Sequence, residues 1–582
     1  MKNFSRILNQ FALWVSILGL IAFISDFGFT QSSFSQKLFD SFFFFVLAVG
    51  IISTGIRYLD TSRKIKAKVL VFDIFSLIFT FWIYYQYLFV GVPFETDLML
   101  ENPYWVRFAV LFTFIREFSE LRIVYKRTFL NPAQLFVGSF FLIILIGAGL
   151  LMLPRATYSG ISFIDALFTS TSAVCVTGLI VVDTATYFTP FGQIIILFLI
   201  QVGGLGILTF ASYFSYFFRG GSTYENQLVL SDLGNSQKLG EVYSTLKNVI
   251  LITFSIEFIA AVLIYLSLDK AHLNSNSEQI FFSIFHAISA FCNAGFSTLT
   301  NSIYESGFRF NYSLQLIIIA TFVFGGLGFP IVSNVISYFS YQFNKINPFQ
   351  DKEFTSRPWV LNINSRVTLV TTCSITVIAF ILFYVLEYNN TLSEHQGLGK
   401  IMTALFGATT PRTAGFNSID TSAMLFPTTM MVFLLMWIGA SPASTGGGIK
   451  TSTFAIATLN ILSLAKGKNR IEVFRREIAD TSVRRAFATI SLSLIVIGFG
   501  IMLLAVFEED KDLMDIGFEC FSAYSTVGLS LGITGNLSEP SKLILLVIMF
   551  VGRVSMLTIL IAFYKKVTYK NYRYPTEEIT IN

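Results

Sequence analysis

This sequence of 582 residues is poor in charge: Asp, Glu, Lys and Arg together make up 13% of it, about half the roughly 25% of a soluble chain. So little charge could not cover a soluble surface of this size. That excludes the four soluble domains that length alone suggests at about 150 residues each. Histidine is scarcer still, with three residues in the chain and none spaced four apart, which argues against a His-built metal site. The four cysteines, Cys175, Cys292, Cys373 and Cys520, form no CxxC pair, so neither a disulfide framework nor a zinc site is expected. Lysines and arginines exceed acids by only 5 and are scattered, so no nucleic-acid partner is expected. No small-residue cleavage site clearly follows the first apolar stretch, from about Phe11, and no cleavable signal peptide is expected.

What fills the sequence is apolar: 54% of residues, with 65 Phe. Runs long enough to cross a hydrocarbon core of about 30 Å recur, over approximately 8–27, 37–58, 68–92, 104–119, 134–153, 188–217, 247–267, 312–340, 365–387, 424–463, 486–507 and 541–564. Backbone groups inside lipid must bond within their own segment, so these are helices, and the chain reads as an all-α polytopic membrane protein. Basic clusters (Arg63, Lys64, Lys66 and Lys68; Lys466 to Arg485; Lys565 to Arg573) alternate with acidic ones (Glu95, Asp97 and Glu101; Glu508 to Asp515). Because positive loops stay in the cytoplasm, both termini are expected there, with twelve crossings of the inner or plasma membrane.

Between the last eight spans lie four short apolar stretches, 162–174, 279–291, 398–410 and 513–524. They are too short to cross and read as re-entrant half-helices, which need protein or a water-filled cavity around them. Each runs into a segment with one glycine: TSAVCVTGL, ISAFCNAGF, ATTPRTAGF and FSAYSTVGL, with Gly178, Gly295, Gly415 and Gly528. A hydroxyl stands six residues upstream each time (Ser172, Ser289, Thr409 and Ser522), and a bulky apolar residue stands one downstream (Leu179, Phe296, Phe416 and Leu529). This repetition predicts four tandem helix–half-helix–helix units around one pore, over 131–232, 233–345, 346–478 and 479–582, with residues 1–130 as an N-terminal bundle of about four helices. The chemistry it predicts is a cation filter. Backbone carbonyls can replace an ion's hydration shell, glycine supplies the unusual φ that turns them one way, and each half-helix aims its partly negative C-terminus at the ion. Glycines serving only close helix packing are the plainer alternative, but packing alone does not explain four half-helices ending at one offset from a glycine.

Two further features stand out. The run 424–463 would be about 60 Å as one helix, and it is interrupted by Gly439-Ala440-Ser441-Pro442-Ala443-Ser444-Thr445-Gly446-Gly447-Gly448. An unwound stretch at membrane depth lines a cavity, unless it is a hinge between a crossing helix and a cytoplasmic one. Ile449 separates Gly448 from Lys450, so this is not a phosphate loop. Arg553 lies at nearly the same depth in the last span, where a charge is costly and usually functional, unless it snorkels to the interface. In the N-terminal bundle, Arg107, Arg116, Arg122, Lys126 and Arg127 are not spaced as in a voltage sensor, and a packing or anchoring bundle is expected. Asp165, Asp183 and Glu257 read as isolated. With no HExxH and no nucleotide loop, the chain is not expected to be an enzyme or a pump.

The half-helix–glycine units, SAVCVTGLIVVDTATYF followed by IQVGGLGILTF, and IGASPASTGGGIKTSTF resemble the Trk/Ktr/HKT superfamily of potassium transporters, over roughly 134–565, and most closely its bacterial Ktr- and Trk-type membrane subunits. The resemblance implies potassium uptake with no cofactor in this chain and K⁺ at a filter formed by Val176, Thr177, Gly178, Asn293, Ala294, Gly295, Thr413, Ala414, Gly415, Thr526, Val527 and Gly528. It implies an intramembrane gate of Gly446, Gly447, Gly448 and Lys450 with Arg553 against it, although Val554-Ser555-Met556 departs from the usual Leu-Gly-Pro. It implies a homodimer and a separate cytoplasmic nucleotide-binding regulatory subunit. Glycine in place of serine at the first filter position resembles potassium-permeating members; a sodium-permeating or poorly selective transporter of the same fold is the alternative. One glycine per strand is sparser than TVGYG, which implies weaker discrimination.

Overall fold

The computed structural model describes residues 2–59, 67–87, 104–119, 132–206, 242–268, 275–346 and 360–564. The basic residues Arg63 to Lys66 and Lys565 to Arg573, the acids Glu95 to Glu101, and Arg122, Lys126 and Arg127 lie outside them, as does the end of the run 188–217. Among the described residues the chain is all-helical apart from one two-stranded hairpin, Glu472–Val473 against Arg476–Glu477. The all-α membrane class read from the sequence is the class observed.

Four helices come first: α1 (Lys2–Gly28), α2 (Ser33–Leu59), α3 (Ala67–Tyr85) and α4 (Tyr104–Ser119). Each of the first three gives one buried charge to α4. Asp26 pairs with Arg107 at 2.7 Å, Arg57 pairs with Glu117, and Asp73 pairs with Arg116 at 2.5 Å. Charges this deep persist only when paired, so Arg107 and Arg116 hold the bundle together. Its seam to the rest of the chain is Gly28, whose carbonyl accepts from Arg155 N at 3.0 Å, with Phe27 stacked on Phe191.

Four units follow. The first contains α5 (Pro132–Leu151), the half-helix α6 (Phe163–Val174) and α7 (Pro190–Leu205). The second contains α8 (Val242–Ser267), the half-helix α9 (Asn276–Cys292), α10 (Tyr312–Leu327) and α11 (Phe329–Ile346). The third contains α12 (Ile363–Glu387), the half-helix α13 (Leu398–Thr409), α14 (Phe426–Trp437) and α15 (Thr451–Ala465). The fourth contains α16 (Asp480–Phe507), the half-helix α17 (Leu513–Ser525), α18 (Glu539–Val554) and α19 (Met556–Phe563). Three half-helices start on side-chain caps: Ser162 accepts from Asp165 N, Ser275 from Glu278 N and Asp512 from Met514 N, each satisfying an amide that the first turn leaves open. The first and fourth units are joined at this level by Asp165–Lys542 at 2.7 Å, so Asp165 is not isolated. Neither is Glu257, whose carboxylate receives Gln201 Nε2 at 3.1 and 3.2 Å.

Among the described residues, five helices are long and apolar enough to cross a membrane alone, and two bent pairs qualify together. The bends correct the reading of 312–340 and 541–564 as straight spans. Helices α10 and α11 meet at 106°, and α18 and α19 at 85°. The joint residues are Gly328 (φ 82°, ψ 146°) and Ser555 (φ 73°, ψ 128°); Gly206, ending α7, has φ 76° and ψ 127°. Three helices of 16 residues, about 24 Å each, thus stop at one conformation, reached by glycine twice and by serine once. In the GG-L-G runs the last glycine ends the helix, with the bend at Gly328, and the first makes the approach. A Cβ on Gly203 would strike Val174 O, one on Gly325 would strike Phe291 O, and one on Gly552 would strike Tyr524 O. The largest buried cluster gathers the first and fourth units around α6, including Phe168, Val176, Phe188 and Cys520.

Candidate functional site: four glycine turns and the loop beneath them

Each half-helix ends in a short segment with two left-handed residues. They are Val176 and Gly178 (φ 57° and 89°), Asn293 and Gly295 (60° and 69°), Thr413 and Gly415 (76° and 76°), and Thr526 and Gly528 (50° and 90°). Alternation of this kind turns successive carbonyls toward one side of a strand. Sequence reasoning named the glycines and, by resemblance, the residues two upstream, but not the left-handed backbone of the latter, because Val, Asn and Thr carry no common signal for φ above zero. Val176, Thr413 and Thr526 are β-branched, so three of the four are backbone outliers.

The four glycines meet in cyclic order. A Cβ on Gly178 would fall against Ala294 O, one on Gly295 against Gly415 Cα and Ala414 O, one on Gly415 against Val527 O, and one on Gly528 against Thr177 O. Only a hydrogen fits at each place, so glycine is required here for space as well as for φ. All four line a single mouth of about 310 Å³ that also includes Asp183, Asp420 and Asn417. Their neighbours Val176, Thr177, Asn293, Ala294, Thr413, Ala414, Thr526 and Val527 are buried.

The upstream hydroxyls hold the turns in two ways. Ser172 and Ser522 accept from Gly178 N and Gly528 N at 3.1 and 3.0 Å, whereas Ser289 donates to Phe296 O at 2.7 Å. In the third unit the expected Thr409 bonds back to Leu405 O, and its neighbour Thr410 donates to Phe416 O at 2.6 Å. Ala414 N likewise bonds to Thr410 O, where the other units reach one residue further back. That turn is one residue tighter, which spacing alone concealed. Arg412 turns away from the ring to Thr376 Oγ1 at 3.3 Å.

The break in the run 424–463 is a loop from Ile438 to Lys450, closed at its neck by Ile449 N to Trp437 O at 3.2 Å and Thr451 N to Ala440 O at 3.2 Å. It lies directly under the turns. A Cβ on Gly446 would strike Thr413 Oγ1, and one on Gly447 would strike Thr526 Oγ1. Gly448, at φ 68°, packs against Gly439 Cα at 3.2 Å, measured from where its Cβ would stand. Lys450 donates to Gly446 O within the loop. Arg553 donates one guanidinium nitrogen to Thr445 O and the other to Gly203 O at 2.6 Å, joining loop, fourth unit and first unit. Thr445 and Gly203 had no signal in the sequence, because they contribute carbonyls. Among the described residues no group of His, Cys, Asp and Glu could hold a resident metal ion.

Comparison with known proteins bears on this geometry. The family described as TrkH, cation transport protein, matches residues 108–573. The Ktr system potassium uptake protein B of Bacillus subtilis is 37% identical over 451 residues, covering 77% of this chain and 96% of that protein. The potassium/sodium uptake protein NtpJ of Enterococcus hirae is 35% identical over 460 residues, covering 78% and 97%. The crystal structure of the potassium transporter TrkH from Vibrio parahaemolyticus matches with a TM-score of 0.60 at 20% identity, over 85% of this chain and 97% of that one, a likeness of fold. The family match begins within α4, so most of the N-terminal bundle precedes it. With that match over most of its length, this chain belongs to the TrkH family of cation transport proteins.

Proposed function

We propose that this chain is the ion-conducting subunit of a potassium uptake system, passing K⁺ down its electrochemical gradient through the ring of glycine turns. The observation that carries the reading is the ring itself: four paired left-handed residues, four half-helix C-termini and one mouth. The carbonyls of Val176–Gly178, Asn293–Gly295, Thr413–Gly415 and Thr526–Gly528 replace the ion's water, and the half-helix dipoles favour positive charge there. The mouth faces outward: the basic hairpin and the acidic turn Glu508–Asp515 stand at opposite ends of the 28-residue α16, and basic segments stay inside. Both termini are then cytoplasmic. Residues Gly446–Gly448 and Lys450, held by Arg553, form a gate between filter and cytoplasm.

Relatives named for the Ktr system support a subunit of a larger system, and the same proposal makes the chain a homodimer with a cytoplasmic nucleotide-binding regulator. The division into a bundle and four pore units at 130, 232, 345 and 478 belongs to the same proposal. A second reading, permeation of Na⁺ beside K⁺, is favoured by the relative named for potassium and sodium uptake and by four strands of different sequence. The deciding experiment is rescue of growth at low potassium in a strain lacking potassium uptake, with ⁸⁶Rb⁺ and ²²Na⁺ flux in proteoliposomes free of nucleotide. Rescue with nucleotide-independent flux is expected. Flux that requires nucleotide hydrolysis would overturn the reading in favour of a pump.

A further inference from the structure

The strand that leaves each glycine turn is tied back to its own half-helix in two of the four units, and by the same pair of positions. His286 stands nine residues before Gly295, and Ser297 stands two after it; Glu519 stands nine before Gly528, and Ser530 two after it. His286 Nε2 lies 2.9 Å from Ser297 Oγ, and Ser530 Oγ donates to Glu519 Oε1. Both serines also accept an amide two residues on, Leu299 N at 3.0 Å and Gly532 N at 2.9 Å. Both line the mouth beside their glycines, while His286 and Glu519 are fully buried behind it.

The bond directions follow from the partners. His286 Nδ1 lies 2.9 Å from Phe282 O, and a carbonyl only accepts, so Nδ1 carries the proton and Nε2 receives the Ser297 hydroxyl. Glu519 likewise receives the Ser530 hydroxyl. Each serine therefore spends its one proton on the buried acceptor, and its oxygen is held at the mouth by the amide. The other two units have Thr169 with Ile180, and Phe406 with Asn417, at these positions, and neither pair makes this bond. In the cyclic order of the ring, the second and fourth strands face each other across the axis. Thr421 Oγ1 of the third unit donates to Ser530 O at 2.6 Å, which extends the hold to a neighbouring strand.

The geometry points to His286 and Glu519 as positioning residues that, through Ser297 and Ser530, fix the two opposed outer strands and so set how well the mouth separates K⁺ from Na⁺. This rests on the filter reading above. Neither residue touches the ion; each acts through a serine on the spacing of carbonyls at the next glycine. A ring held at two opposed points keeps its width when a smaller ion enters, and an untethered ring contracts around it.

The test measures K⁺/Na⁺ uptake ratio, half-saturating K⁺ and maximal rate per transporter in proteoliposomes, for Ser297→Ala, Ser530→Ala, His286→Phe, Glu519→Gln and the double variant His286→Phe/Ser297→Ala. Ser297→Ala, Ser530→Ala and His286→Phe should each lower the ratio about fivefold, the worth of one net hydrogen bond, and raise half-saturating K⁺ with maximal rate little changed. The double variant should match Ser297→Ala alone, since both break one bond. Glu519→Gln keeps an acceptor for Ser530 and should retain most of the wild-type ratio. Gly178→Ser is the control for the filter. If it alters the ratio while the serine variants do not, the tether is refuted and the filter stands; if none alters it, filter and tether fall together. A fall in maximal rate or membrane level with an unchanged ratio would also overturn the inference.

Discussion

Val176 is one of three β-branched residues, with Thr413 and Thr526, that the ring holds at positive φ. A β-branched residue at φ 57° costs of order 1–3 kcal/mol and persists only where the surroundings over-determine it. Here Thr177 N, bonded to Ser172 O at 2.7 Å, and Gly178 N, bonded to the Ser172 hydroxyl, supply that constraint. Gly178 itself has no room for a side chain, because Ala294 O of the next strand occupies the place. Gly178→Ser should therefore displace that carbonyl and lower the K⁺/Na⁺ uptake ratio of reconstituted protein; an unchanged ratio would remove Gly178 from the path. Ser555 presents the opposite case. It holds nearly the φ and ψ that Gly328 holds at its bend and Gly206 at the end of its helix, and no hydrogen bond of its side chain offsets the strain among the described residues. Ser555→Gly should raise stability by about 1 kcal/mol, the relief of strain less the entropy of a freer unfolded chain, read as a higher melting temperature in detergent with flux unchanged. The glycines of the ring were legible in the sequence because they recur at one offset. Ser555 was not, because its conformation becomes visible only beside the two glycines that share it.

The half-helices were legible as elements within three residues at their ends, since a short apolar run between long spans has few other readings. The bends at Gly328 and Ser555 were hidden: an apolar run continues through each of them, and hydropathy does not report direction. The loop between α14 and α15 was visible as too much chain for one crossing, but its contact with Thr413 and Thr526 was not. In the proposed gate, that contact is the obstacle under the ring, held by one guanidinium across Thr445 O and Gly203 O. Arg553→Ala, or removal of Ala443–Gly448, should raise flux and weaken dependence on the cytoplasmic partner, while the K⁺/Na⁺ ratio stays near wild type. Flux that falls in both variants, with folded protein in the membrane, would make these residues supports of the pore and not its gate.

At the scale of the molecule, one chain builds the ring from four units that share a glycine and differ in its neighbours. The bundle in front of it is held by charge. Removing one member of a buried pair leaves the other uncompensated, at about 3–5 kcal/mol, whereas replacing both is nearly neutral. Arg116→Leu should therefore lower thermal stability sharply, and Arg116→Leu with Asp73→Leu should recover most of the loss; a double variant as unstable as the single would mean that the pair contributes no coupling. The order of these charges along the chain has a consequence for synthesis. Asp26, Arg57 and Asp73 stand on three successive helices, and the opposite charge that pairs with each lies on α4. During synthesis these three are made before their counter-charges, beside neutral partners such as Asn9 for Arg57 and Tyr58 for Asp73. Charge balance in the bundle is thus complete only once α4 has joined it.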